Sequence, residues 1–305
     1  MQRTSNPIDT RGLESAPGAE GDAALVTVLP GRTPLVLDSP HSGTCYPADF
    51  LPACDMASLR RAEDTHVEKL YDFAPALGAA WVEAHFPRSY LDANRDVTEL
   101  DTALLDGPWT GPLSTDPRML AKVRLGKGLI WKFTDDGLPI YDRLLGVDEV
   151  RRRIERCWAP YHAAVAGAID AAHARHGYAI HVNCHSMPAI AGSHATDFPG
   201  MAHADFVIGD RDGATADPAL SQRICTHLRE RGYRVDYNHP YKGVELVRRN
   251  GDPAAGRHSI QVEINRGLYM DEDTLALDAE GTARLVASLR SMVAMLLATD
   301  PRDLR

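Results

Sequence analysis

Short apolar runs alternate along the chain with longer stretches whose apolar positions recur near every 3.6 residues, the signature of strands feeding helices. The runs predict strands over Ala23–Leu29, Leu35–Asp38, Trp81–Ala84, Tyr178–Cys184, Phe206–Gly209, Tyr233–Tyr237 and Ser259–Ile264. Helical spacing of Leu59, Val67, Leu70, Phe73 and Leu77 predicts a helix over Asp55–Ala80. Further helices are expected over Tyr141–His176 (bent by Pro160, stopped by Gly177), Pro218–Arg231 (stopped by Gly232) and Thr282–Ala298. This alternation predicts one α/β domain over 23–305, built on a mixed, mostly parallel twisted sheet between helices. Residues 1–22, polar and rich in small residues, are expected to form a flexible lead-in. Between Val97 and Gly137 the pattern dissolves into Gly, Pro, Asp and Thr. We read that segment as a loop over an active-site mouth, with a short strand or helix inside it.

The strand ends carry the candidate chemistry, because ligands of α/β sheets collect at the carboxyl ends of strands. The run LVLDSPHSG (35–43) must end at Pro40 and Gly43, and it delivers His41 there. His185 stands in the same situation just past AIHVNC, and a serine follows each histidine. Two imidazoles and one carboxylate leave zinc an open position for water, the arrangement of a hydrolytic site. Asp64 is the obvious carboxylate, with Glu63, His66 and Glu68 as rivals. The ordinary alternative is a solvated acidic face paired with Arg60, Arg61 and Lys69. In SIQVEINRG, Glu263 faces opposite to Ile260, Val262 and Ile264; in a central strand it becomes a buried carboxylate suited to general-base work. Arg95 offers a guanidinium fork for a substrate carboxylate, or an ordinary surface ion pair. Lys242, Arg248 and Arg249 lie in YKGVELVRRNG, where a basic pair precedes a turn; they either hold a second carboxylate or form a basic edge.

Composition narrows the classes. A formal net charge of −9 disfavours a nucleic-acid or anionic-membrane surface and requires local arginines for any anionic substrate. Five cysteines without a CxxC pair suit a reducing compartment; with no signal-peptide pattern and no spanning apolar stretch, a cytoplasmic protein is expected. Cys184 and His185 point to opposite faces of a strand, Ser42 and Ser186 lack a G-x-S-x-G elbow, and GDRDG lacks a Walker lysine.

Taken together, SPHSG (39–43), EDTHVEKLYDFAPALGA (63–79), YLDANRD (90–96), NCHSM (183–187), GDRDGATADPAL (209–220) and QVEINRGLYM (261–270) resemble the N-formylglutamate amidohydrolase family, in that family's order. More distantly they are similar to zinc carboxypeptidases and acyl-amino-acid deacylases. The resemblance implies a zinc-carboxypeptidase-like fold and one Zn2+ held by His41, Asp64 and His185. It also implies Glu263 as base and then acid, and Asn94 with Arg95 gripping the α-carboxylate of a small anionic acyl-amino acid. His41-Ser-Gly-Thr44 departs from the compact H-x-x-E of the carboxypeptidases, so the carboxylate ligand must come from further along. The activity implied is hydrolysis of N-formyl-L-glutamate, a step in histidine degradation, with Lys242 or Arg248 on the second carboxylate. Another acyl-amino acid or small peptide is the alternative substrate, and a metal-free binding protein the alternative class.

Overall fold

A computed structural model describes residues 24–192 and 199–304; the expected lead-in over 1–22 lies outside them. Seven strands form one sheet: β1 (Val26–Leu29), β2 (Leu35–Ser39), β3 (Ala80–Ala84), β4 (Ala179–Met187), β5 (Phe206–Gly209), β6 (Val235–Tyr237) and β7 (Arg257–Asn265). Their order is β1-β3-β2-β4-β7-β5-β6. Pairing is parallel throughout except for β1 with β3 and β5 with β7, so the mixed, mostly parallel sheet expected from the pattern is the one observed.

One face of the sheet is apolar. Leu35, Leu37, Ile180, Val182, Cys184, Ile260, Val262 and Ile264 meet α2 (Val67–Leu70), α6 (Pro218–Arg229) and α8 (Ala279–Leu297) in a continuous core. The opposite face of the three central strands is polar yet buried, with Asp38, His181, Asn183, His185, Ser259, Gln261 and Glu263 all below one-tenth exposed. It lies under a helix that runs from α4 (Val147–Arg153) through a π-helical turn (Ile154–Trp158) into α5 (Ala159–His176). The π turn falls just before Pro160, whose missing N–H disrupts the regular ladder, and Gly177 ends the helix at φ 77°. A buried polar face requires partners for each of its groups, and those partners build the site described below.

Four expectations are corrected. The single helix over Asp55–Ala80 is instead α1 (Met56–Arg60), α2 and a 3-10 turn at Pro75–Leu77. The break has a local cause: the Asp64 amide donates to the His41 carbonyl at 3.1 Å, and His66 adopts φ 69°, a left-handed conformation that no α-helix contains. The helix expected from Tyr141 starts at Val147. His185 lies within β4 rather than past its end, because β4 and β7 stay paired as far as Met187 and Asn265. Arg248 and Arg249 sit in a short helix, α7 (Glu245–Asn250), not before a turn. Within 97–137 the structure holds a 3-10 turn at Thr102–Leu104 and the helix α3 (Pro117–Arg124).

Candidate active site

Three parallel strands deliver the site to one edge of the sheet. His41 closes the turn after β2, where Gly43 lies against His85; a Cβ on that glycine would come within 2.4 Å of the His85 backbone. His185 on β4 is in register with Glu263 on β7. Asp64, at the break between α1 and α2, is tied to the same place by its hydrogen bond to the His41 carbonyl.

One nitrogen of each imidazole and a carboxylate oxygen of Asp64 lie within 4.8 Å of one another. Asp64 Oδ2 is 2.9 Å from His185 Nδ1 and 3.5 Å from His41 Nδ1. These separations bracket the roughly 3.3 Å between ligand atoms around tetrahedral zinc, whose bonds are near 2.0–2.1 Å. The far nitrogens are already engaged: His41 Nε2 with Asp92 Oδ1 at 2.7 Å, and His185 Nε2 with Asn183 Oδ1 at 2.7 Å. That leaves both Nδ1 atoms facing Asp64, and His41 Nδ1 is buried without a hydrogen-bond partner. An orphaned ring nitrogen beside a carboxylate, with its opposite nitrogen backed by an acceptor, is the chemistry of a metal ligand. The residues fit a divalent ion. Of the rivals for the carboxylate, Glu63 is engaged by Tyr46 and Arg60, and His66 by Leu275 and Lys69.

Charge around the cluster is compensated. Asp64 Oδ1 receives Arg266 at 3.2 Å and has Arg88 at 3.6 Å. Burial pushes Asp64 up, but the adjacent His185 and His41 rings and the Arg88 charge hold it well below the usual carboxylate range. Asp92 behaves alike, raised by burial and lowered further by His41 and Arg88. Glu263 is the opposite case. Burial dominates and the Asp64 charge adds to it, so that His185, Arg88 and Arg266 offset only part and its pKa reaches about 7. Two neighbouring carboxylates are thus held differently, one ionised and one near neutrality.

The substrate-facing candidates separate. Arg95 is buried, its Nε donates to the Lys127 carbonyl at 2.9 Å, and no carboxylate among the described residues lies within 4.0 Å of it. Asn94 is fully used by the scaffold: its Oδ1 accepts from the Leu246 amide at 2.9 Å and its Nδ2 lies 3.1 Å from His185 Nε2. Arg248 bridges Asp96 and Glu245 on α7, and Lys242 forms an exposed pair with Asp212. The 97–137 segment packs onto the site through Trp131, whose Nε1 donates to Asp92 Oδ2 at 3.1 Å; the Arg88 guanidinium lies 4.8 Å over its ring. Sequence reasoning missed Arg88, Asp92, Asn183 and Arg266. The first two stand inside RSYLDANRD, where an acid two residues before Asn-Arg was the available signal.

Fold and site define an amidohydrolase of mixed α/β architecture. The chain belongs to the N-formylglutamate amidohydrolase family, whose model matches residues 33–270. It is 30% identical over 277 residues to the N-formylglutamate deformylase of Pseudomonas aeruginosa, covering 88% of this chain and 94% of that protein. It is 31% identical over 249 residues to the deformylase of Pseudomonas putida, covering 79% and 84%. Among solved structures, N-formylglutamate amidohydrolase from Ralstonia eutropha JMP134 superposes with a TM-score of 0.84 at 45% identity, over 90% of this chain and 98% of that one. The gene product Atu2144 of Agrobacterium tumefaciens, 17% identical with a TM-score of 0.63 over 90% and 96%, shares the fold. Among the described residues no helix is long and apolar enough to cross a membrane.

Proposed function

We propose that this protein is a zinc-dependent deformylase that hydrolyses N-formyl-L-glutamate to L-glutamate and formate. The observation that carries this reading is the buried His41–Asp64–His185 cluster, with the proton-poised Glu263 in register beside His185, in a chain of this family. His41, Asp64 and His185 would hold the ion, which supplies Lewis acidity toward a water and the formyl oxygen. Glu263 accepts a proton from the attacking water and returns it to the departing amine. Gln261 donates to Glu263 Oε1 at 2.8 Å and so fixes which oxygen is free to move the proton. Arg88, over the Trp131 ring and between Asp64 and Asp92, is assigned the charge developing on the formyl oxygen. Arg95 takes the α-carboxylate, its buried guanidinium being bonded to the Lys127 carbonyl but to no carboxylate within 4.0 Å among the described residues. Arg248, adjacent through Asp96, is assigned the second carboxylate, with Lys242 further out. Five free cysteines suit a cytoplasmic enzyme.

The test joins metal analysis of protein purified without chelator to formate release from N-formyl-L-glutamate, with acetyl and succinyl glutamate and dipeptides for comparison. One zinc per chain and turnover of the formyl compound are expected. Stoichiometric zinc with preference for another acyl group would overturn the substrate, and activity unaffected by complete zinc removal would overturn the metal. Arg95→Ala is expected to raise KM by about 10–100-fold, the loss of a charge-assisted fork, while leaving kcat within a few-fold. Steady-state kinetics check this; a fall confined to kcat would remove Arg95 from substrate binding.

A further inference from the structure

Beneath the metal cluster the buried polar face continues along β4 and β2, through groups that the chemistry above does not use. Asn183 presents Oδ1 to His185 Nε2 at 2.7 Å, while its Nδ2 donates to Asp38 Oδ1 at 2.8 Å. Asp38 is completely buried and is the register partner of Asn183 across the β2–β4 ladder. It also accepts from the Tyr161 hydroxyl at 2.7 Å and meets His181 Nε2 at 2.9 Å.

We propose that Asp38, acting through Asn183, is a positioning residue that selects which nitrogen His185 turns toward Asp64 and thereby sets the site's affinity for its divalent ion. The proposal rests on reading the cluster as a zinc site. A primary amide is nearly symmetric in shape, so the partners at one end decide which atom the other end shows. Asp38 is an acceptor when ionised. Burial raises its pKa, but the neighbouring His181 and the hydrogen bonds from His181, Tyr161 and Asn183 bring it below the ordinary value. Asn183 must therefore direct Nδ2 toward Asp38 and Oδ1 toward His185. An acceptor at Nε2 holds a ring proton there, so that Nδ1, the nitrogen beside Asp64, is the one available to ligate an ion. Asn94 touches the same nitrogen but cannot do this, because its oxygen is committed to the Leu246 amide and it shows His185 only a donor. The two histidines are thus backed differently: His41 by the carboxylate of Asp92 directly, His185 by a carboxylate relayed through an amide.

Asp38→Asn preserves volume but lets the Asn183 amide turn. Zinc affinity, measured by competition with a chromophoric chelator, is expected to fall about 10–100-fold, and the visible spectrum of the cobalt-loaded protein should change. Asn183→Leu should weaken zinc by a similar factor, and the exchange Asp38→Asn/Asn183→Asp, which keeps both an acceptor at Nε2 and a donor between positions 38 and 183, should retain most of the affinity. The double variant Asp38→Asn/Asn183→Leu should bind zinc no more weakly than Asn183→Leu alone, whereas thermal stability of the metal-free proteins reports any merely structural loss. Wild-type affinity in Asp38→Asn, or additive losses in the double variant, would overturn the proposal. If Asp38→Asn does not fold, comparison of the exchange variant with Asn183→Leu decides, and equal zinc affinities overturn the proposal. Absence of stoichiometric zinc in the wild type is a separate result: it removes the metal reading and this inference with it.

Discussion

Replacing His185 with alanine is expected to cost the protein its zinc and to reduce formate release to background. The remaining pair, His41 and Asp64, offers two ligand atoms 3.5 Å apart, too few to retain an ion against a chelator, whereas protein zinc sites use three or four. The loss should be specific. Wild-type protein stripped with chelator should recover activity on zinc addition, and His185→Ala should not. Bound metal also stabilises the folded state by mass action, about 2.7 kcal/mol at a free concentration one hundred times Kd. Zinc addition should therefore raise the wild-type Tm and leave that of the variant unchanged. Metal content, recovery and Tm check this; full activity in His185→Ala would place the chemistry elsewhere.

Glu263→Gln is expected to lower kcat by about 10²–10⁴-fold with zinc still bound and KM little changed, the range for loss of a positioned general base. The same substitution should stabilise the metal-free protein in a pH-dependent way. In the folded chain the Glu263 pKa lies near 7, against an ordinary 4.5. A carboxyl with a raised folded-state pKa makes its full contribution to stability below the ordinary value. That contribution is lost as pH rises through the folded value, because a proton is then removed from a buried group. Glutamine carries no such proton. The Tm of the metal-free variant should equal that of wild type near pH 4 and exceed it above pH 7, by an amount on the order of 3 kcal/mol of stability. Thermal melts across that window check the sign. A variant less stable than wild type at high pH would show that the glutamate is not held against its own ionisation.

The strands were readable because each central strand is apolar on at least one face and bounded by Gly, Pro or polar clusters. All seven appear within a few residues of their expected places. The long helix ending at Gly177 was readable for the same reason of periodicity. The segment 55–80 was misread because its apolar spacing is genuinely helical, while the break at Asp64–His66 comes from a hydrogen bond to His41 that no local pattern records. The end of β4 was misplaced because Cys184 to Met187 pair with β7, a partner more than seventy positions away in the chain. The helix α7 went unseen: it is short, and Asn94 holds its Leu246 amide from a distant turn.

The chain by itself determined the alternation that gives a mixed α/β sheet, the two histidines near its carboxyl edge, the alternation that turns Glu263 away from the apolar core, and the motifs that carry family resemblance. Those properties are local, set by side-chain period, turn residues and short ordered motifs. Only the tertiary structure decided that Asp64, rather than Glu63, His66 or Glu68, meets His41 and His185, that Asp92 and Asn183 back the two rings, and that Glu263 titrates near neutrality. Choice among neighbouring carboxylates, orientation of an imidazole and cost of ionising a buried acid depend on burial and on through-space charges. The residues responsible become neighbours only when β2, β4 and β7 come into register.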